Sequence, residues 1–136
     1  MIPFSILIFY TSDGHVLLQN RTSITIDSSE WGFFGGIHNP GEHPEAALCR
    51  EIKEELDYDL SDFEHVSSFM HEFSSSKFHG HVFAAQLPEN HTTVMRVLEG
   101  DGMGLHHIST LDSLRFAKLH SIQTLPIIKE FLKKKL

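Results

Sequence analysis

GIHNPGEHPEAALCREIKEELDY, Gly36 to Tyr58, is the stretch whose reading decides the fold of this chain. From about Pro44 to Leu56 it predicts a helix, because Pro44 suits the first helical position and Glu45 lies near the positive end of the helix dipole. His43 is a weak N-cap in front of it. On that helix Glu51, Glu54 and Glu55 stand at i, i+3 and i+4 and share one face. Like charges at this spacing repel unless a cation neutralises them, and carboxylate oxygens are the hard ligands that Mg²⁺ or Mn²⁺ accepts. Leu48, Cys49, Ile52 and Leu56 form an apolar stripe on another side, so the helix can pack on a sheet while turning its acids to a cleft. Taken alone, Arg50-Glu51-Ile52-Lys53-Glu54-Glu55 is an ordinary solvated helix face, and its neighbours must decide between the two.

Upstream, Gly35 to His43 holds three glycines and Pro40, which predicts a loop able to approach a ligand closely. Before it, Ile2–Thr11 and His15–Gln19 read as strands joined through the turn Ser12-Asp13-Gly14, and Trp31–Phe34 as a third strand. Asn20 to Glu30 between them is a polar connection, with a short extended piece at Ile24-Thr25-Ile26. Downstream, Phe63–Phe73 and Lys77–Leu87 predict a hairpin around Ser74-Ser75-Ser76. A short strand is expected at Thr92–Val97, a flexible loop at Gly100–Gly104 and another short strand at Leu105–Ile108. Leu111–Arg115 predicts a helical turn, and Ser121–Lys135 an amphipathic helix with Ile122, Leu125, Ile127, Ile128, Phe131 and Leu132 inward.

The distances from the acidic run back to the glycine loop carry the most information. Gly36, five residues, Glu42, seven residues, then Arg50-Glu51-Ile52-Lys53-Glu54-Glu55 resembles the Nudix box, G-x5-E-x7-R-E-U-x-E-E-x-G-U, with U a bulky apolar residue. Tyr58 fills the last apolar position, and Asp57 stands where the family has glycine. Asp tolerates the left-handed conformation that ends a helix, so the terminus is expected to survive. The resemblance extends over the order of elements and implies an α/β (α+β) fold, the Nudix αβα sandwich with a mixed central sheet.

It also implies an enzyme: a hydrolase that cleaves the pyrophosphate linkage of a nucleoside triphosphate, or of a nucleoside diphosphate joined to another group, by water attack at phosphorus. Mg²⁺ or Mn²⁺ is the implied cofactor. Carried over residue by residue, Glu51 and Glu55 match the principal metal ligands, Glu54 a further or water-mediated one, and Gly35 a backbone carbonyl ligand. Glu99, beside the later glycine loop, resembles the extra acid of the family, as ligand or general base, with Glu51 the other candidate base. Glu42 is expected to pair with Arg50 and, with Gly36, to fix the loop on the helix. Arg21 matches a position that contacts phosphate or base in some members. Phe34 replaces the proline common in the family's Phe-Pro-Gly-Gly and bears on pocket shape, and Asn39 takes a position often filled by an acid. Lys77 and His81 complete the candidate substrate contacts. The asparagine with which 8-oxo-dGTP hydrolases read the purine is missing from Phe116-Ala117-Lys118-Leu119-His120. The proline of ADP-ribose hydrolases is missing at Phe73-Ser74, and the coenzyme A and NADH motifs are also absent. A non-catalytic Nudix-fold nucleotide-binding module is the alternative, though modules of that kind usually lack box glutamates.

Composition agrees with a small-molecule substrate. The 136 residues, 40% of them hydrophobic, predict one domain over 1–136. A net charge of -7, from 18 acidic and 11 basic residues, argues against a nucleic-acid surface and against an RNA-end hydrolase. No run is long enough to span a membrane, the single Cys49 forms no internal disulfide, and the N-terminus lacks a secretory pattern, so a cytoplasmic protein is expected. The oligomeric state stays open between monomer and homodimer. Histidine is abundant, 11 in all, without the Cys pairs or helical spacing of a zinc site, so scattered surface or pocket histidines are expected. His79 and His81 share one strand face, from which either can meet a nucleotide base if that face lines the cleft.

Overall fold

Alternation along β1 (Ile2–Tyr10) puts Phe4, Ile6, Ile8 and Tyr10 on one side and Leu7 and Phe9 on the other. Both sides are apolar, so the strand has to be covered twice. The computed structural model, which describes residues 1–24, 30–116 and 123–136, supplies both covers. After β1 come β2 (His15–Asn20), β3 (Trp31–Gly32), β4 (Phe34–Ile37), α1 (Pro44–Leu56), β5 (Glu64–Phe73) and β6 (Ser76–Gln86). Then follow a short α2 (His91–Val94), β7 (Gly102–His107), a 3-10 helix (Ile108–Ser113) and α3 (Thr124–Lys135). The described strands join in one mixed sheet in which β1 runs parallel to β6 and antiparallel to β2 and β4.

On one face, Leu48, Ile52 and Leu56 of α1 close over Leu7, Phe9, Phe34 and Phe83, all at most 1% exposed. On the other, Ile128 and Leu132 of α3 close over Ile8, Tyr10, Val82 and Ala84. Each such side chain contributes about 1.5–3 kcal/mol by leaving water. The result is the expected αβα sandwich with a mixed sheet. Helix α1 has the predicted bounds, and Asp57 ends it in the left-handed region at φ 50°, its amide donating to the Lys53 carbonyl. No helix among the described residues is long and apolar enough to cross a membrane.

Several expectations are corrected. Trp31–Phe34 is not one strand, because β1 and β2 pair only near their hairpin and then diverge. Trp31 and Gly32 follow β2, whereas Phe34 to Ile37 follow β1, so Gly35 and Gly36 lie in a strand and not in a loop. Gly100–Gly104 is likewise not all loop. From Gly102 onward the chain pairs with the whole of β2, whose edge offers unpaired donors and acceptors. Thr92–Val97 is no strand either, since the chain there turns through α2 and then satisfies the end of α1. The Arg96 amide donates to the Leu56 carbonyl and the Leu98 amide to the Glu55 carbonyl, both at 2.8 Å. Cys49 is only half-buried, and Ala47 and Glu55 join the covered side of α1 in its place. Ile24 lies in a turn, while Thr25, Ile26, residues 117–120, Ser121 and Ile122 lie outside the described residues.

Candidate active site

The carboxylates are gathered where α1 crosses β4. Gly36 makes that crossing close: a Cβ there would lie 2.5 Å from the Glu51 carboxyl carbon. Gly35, at φ 140°, is equally constrained, since a Cβ would meet the Ser5 carbonyl oxygen at 2.1 Å. Its amide donates to Glu55 Oε1 at 2.8 Å, so Gly35 meets the cluster through its N–H.

Arg50 organises the other acids. Its Nε and Nη2 grip Glu42 in a two-pronged bond, both at 2.8 Å, while Nη2 also reaches the Ile37 carbonyl at 3.2 Å. Nη1 reaches Glu51 at 2.9 Å and Glu54 at 3.3 Å. The Asn39 amide adds a bond to Glu42 at 2.9 Å. Arg50 and that amide hold the Glu42 carboxyl down at about 2. The clamp expected between loop and helix is therefore present, and the same guanidinium partly neutralises Glu51 and Glu54.

Glu55 differs from its neighbours. It is 3% exposed and has no cationic partner among the described contacts. Burial pushes its carboxyl up to about 9; the Gly35 amide opposes the rise, and the Glu51 and Glu99 carboxylates reinforce it. Burial also raises Glu51, against the pull of Arg50. Glu99 arrives from a different part of the chain. Gly100, at φ 84°, presses on the Asn20 carbonyl so closely that a Cβ would sit 2.6 Å away, and Gln19 Nε2 donates to the Glu99 carbonyl at 3.2 Å. Arg21 joins the rim: its Nη1 donates to Gln19 Oε1 at 2.9 Å, its Nε is buried without a partner among the described residues, and its charge acts on Glu55.

The structure thus brings together Gly35, Gly36, Glu42, Arg50, Glu51, Glu54, Glu55, Glu99 and Arg21. It does not bring the other candidates there. Phe34 is fully buried under α1, so it meets core side chains and no substrate. Lys77 is paired with Glu72 at 3.9 Å beside the β5–β6 turn. His81 stacks on His38, its ring centroid 5.6 Å away, and faces His79 and Ser68. Gln19 and Ser5, both fully buried, were missed. Their signal was available, because each is a polar residue inside an otherwise apolar strand.

Among the described residues no three acidic, histidine or cysteine side chains already converge as metal ligands. Arg50 holds Glu51 and Glu54, and the Gly35 amide holds Glu55. The donor set nonetheless fits a hard divalent cation: it offers carboxylate oxygens, they raise one another, and the buried one has no ion-pair partner among the described residues.

Comparison with known proteins agrees with this arrangement. The NUDIX domain model matches residues 2–131. The CTP pyrophosphohydrolase of Escherichia coli K12 is 34% identical over 82 residues, which cover 60% of this chain and 59% of that protein's length. The ADP compounds hydrolase NudE of the same organism is 26% identical over 140 residues, covering 95% and 72% of the two chains. Among solved structures, the E. coli dihydroneopterin triphosphate pyrophosphohydrolase superposes with a TM-score of 0.78 at 20% identity, covering 97% of this chain and 95% of that one.

Proposed function

Because the chain belongs to the NUDIX family, we propose that it is a hydrolase that cuts the pyrophosphate linkage of a nucleotide derivative with the help of Mg²⁺ or Mn²⁺. The observation that carries this is Glu55, raised by its burial and further by Glu51 and Glu99, and aligned by the Gly35 amide. A pyrophosphate brings negative charge to an already acidic cleft, so attack at phosphorus needs cationic neutralisation. The bound divalent cation would supply that charge and polarise the phosphoryl oxygens.

Glu51 and Glu55 are the principal ligands in this reading, with Glu54, Glu99 and the Gly35 carbonyl as further donors. Glu51, raised by burial, and Glu99 are the candidates to take the proton of the attacking water. Arg50 bonds Glu51 and Glu54, while its grip on Glu42 keeps the loop on the helix. Arg21, whose Nε has no hydrogen-bond partner among the described residues, is the candidate to contact a substrate phosphate. Residues 1–136 act as one domain here, since Glu99 and α1 must be held by the same sheet. A cytoplasmic setting suits a nucleotide substrate and the free Cys49.

The test is turnover of a nucleotide panel that includes CTP, other nucleoside triphosphates and ADP derivatives, with Mg²⁺ or Mn²⁺. Phosphorylated fragments should appear with the wild type and fall by about 100-fold or more with Glu55→Gln. Failure of every compound, or equal turnover by the variant, removes the hydrolase reading. Binding without turnover would turn it into a nucleotide-binding module.

A further inference from the structure

Near the start of α1 lies a polar cluster that the hydrolytic chemistry does not use. His38, 8% exposed, brings Nε2 to 2.7 Å from Ser5 Oγ, and Ser5 Oγ in turn donates to the Pro44 carbonyl at 2.9 Å. The hydroxyl has one proton and gives it to Pro44, so the imidazole must be the donor in the other bond. With the His38 amide on the Pro3 carbonyl at 3.0 Å, these bonds tie the segment 38–43 and the start of α1 to β1. Behind His38 stand two more rings, His81 stacked on it at 5.6 Å and His79 at 4.3 Å from His81.

We propose that His38 is a positioning residue that pins the 38–43 loop to β1, and that the pin is released when His38 and the His81 ring stacked on it take up protons. The charged and titratable groups around the cluster make it intolerant of charge. His81 faces His79 along β6, His65 and the hydroxyl of Ser68 from β5, and His38 and His43 from the loop. His38 faces Glu42, Arg50, His79 and His43. Glu42 is the one carboxylate in that set, and Arg50 already holds it with two bonds.

Protons therefore bring like charges close together beside the buried His38. Burial holds His81 down to about 4 and keeps His38 below its ordinary value. An open loop returns both rings to ordinary imidazoles, so acidification favours opening between about pH 6.5 and about 4. The histidines of β6 cannot yield, because β1 and β5 flank that strand on both sides. The loop can. When it moves, Glu42 leaves with it and Arg50 is freed to compete with a cation for Glu51 and Glu54. The pin and its release belong to the fold; only their effect on catalysis rests on the hydrolase reading.

Amide hydrogen exchange tests this without any substrate. Protection factors of the His38 and Glu42 amides, normalised for intrinsic rates, should fall by about tenfold or more between about pH 7.5 and about pH 5, while β1 and β6 stay protected. The variant His79→Gln/His81→Gln should lose most of that fall. His38→Gln, which keeps a donor but does not titrate, should lose part of that fall, and His38→Ala should be unprotected at both values. Equal wild-type protection at the two values overturns the proposal, as does an unchanged fall in His79→Gln/His81→Gln. Should that double variant fail to fold, His38→Gln decides alone, and a fall equal to that of the wild type overturns the proposal.

Discussion

Glu55 has almost no water around it to hydrate a charge, and its proton stays on until about pH 9. In the unfolded chain the same carboxyl ionises near its ordinary value of 4.5. A folded-state value above the unfolded one gives stability that is fully present below pH 4.5 and lost as pH rises through about 9. Metal-free Glu55→Gln should therefore come within about 1 kcal/mol of the wild type near pH 5 and exceed it by roughly 5 kcal/mol near pH 8.5, read from denaturant unfolding in EDTA. The opposite trend from His38 and His81 is common to both proteins and cancels in the difference. At this scale the acids themselves were legible in the sequence, since their spacing is local. Their inequality was not, because i, i+3 and i+4 place Glu51, Glu54 and Glu55 on one face but do not say which of them the sheet covers.

Helix α1 begins and ends where its residues predict, because caps and proline act within a few positions of themselves. Asp57 is the sharpest case. It carries the left-handed turn at φ 50°, and its carboxylate meets Lys53 at 3.3 Å. Asp57→Gly should leave stability within about 1 kcal/mol of the wild type, one gain offsetting one loss, whereas the β-branched Asp57→Val should cost about 1–2 kcal/mol. Thermal unfolding of the two variants checks both, and turnover by Asp57→Gly should equal that of the wild type. Strand boundaries were less legible. Trp31–Phe34 reads as continuous, yet the divergence of β1 from β2 divides it between two partners. Glycines in Gly100–Gly104 suggest a loop, yet the free edge of β2 recruits most of them as a strand. In both cases the deciding partner is distant in sequence.

For the molecule as a whole, the carboxylate cluster is a site of stored repulsion joining α1 to the segment that carries Glu99. A divalent cation that binds only the folded chain should raise its unfolding free energy by ~2.7 kcal/mol at a hundredfold excess over Kd. Glu55→Gln should lose most of that gain, as measured by denaturant unfolding with Mg²⁺ or EDTA; an equal gain in both proteins would place the cation elsewhere. The sequence by itself determined the family, the helix with its ends and the Glu42–Arg50 clamp, all of which depend on short spacings within one stretch. Only the tertiary structure decided that Phe34 belongs to the core, that Arg21 stands by Glu55, that Lys77 lies apart from the site and that His38 and Ser5 hold the loop. Those facts depend on which strands the sheet makes neighbours, and the cooperative burial of both faces of β1 settles that order where no local pattern does.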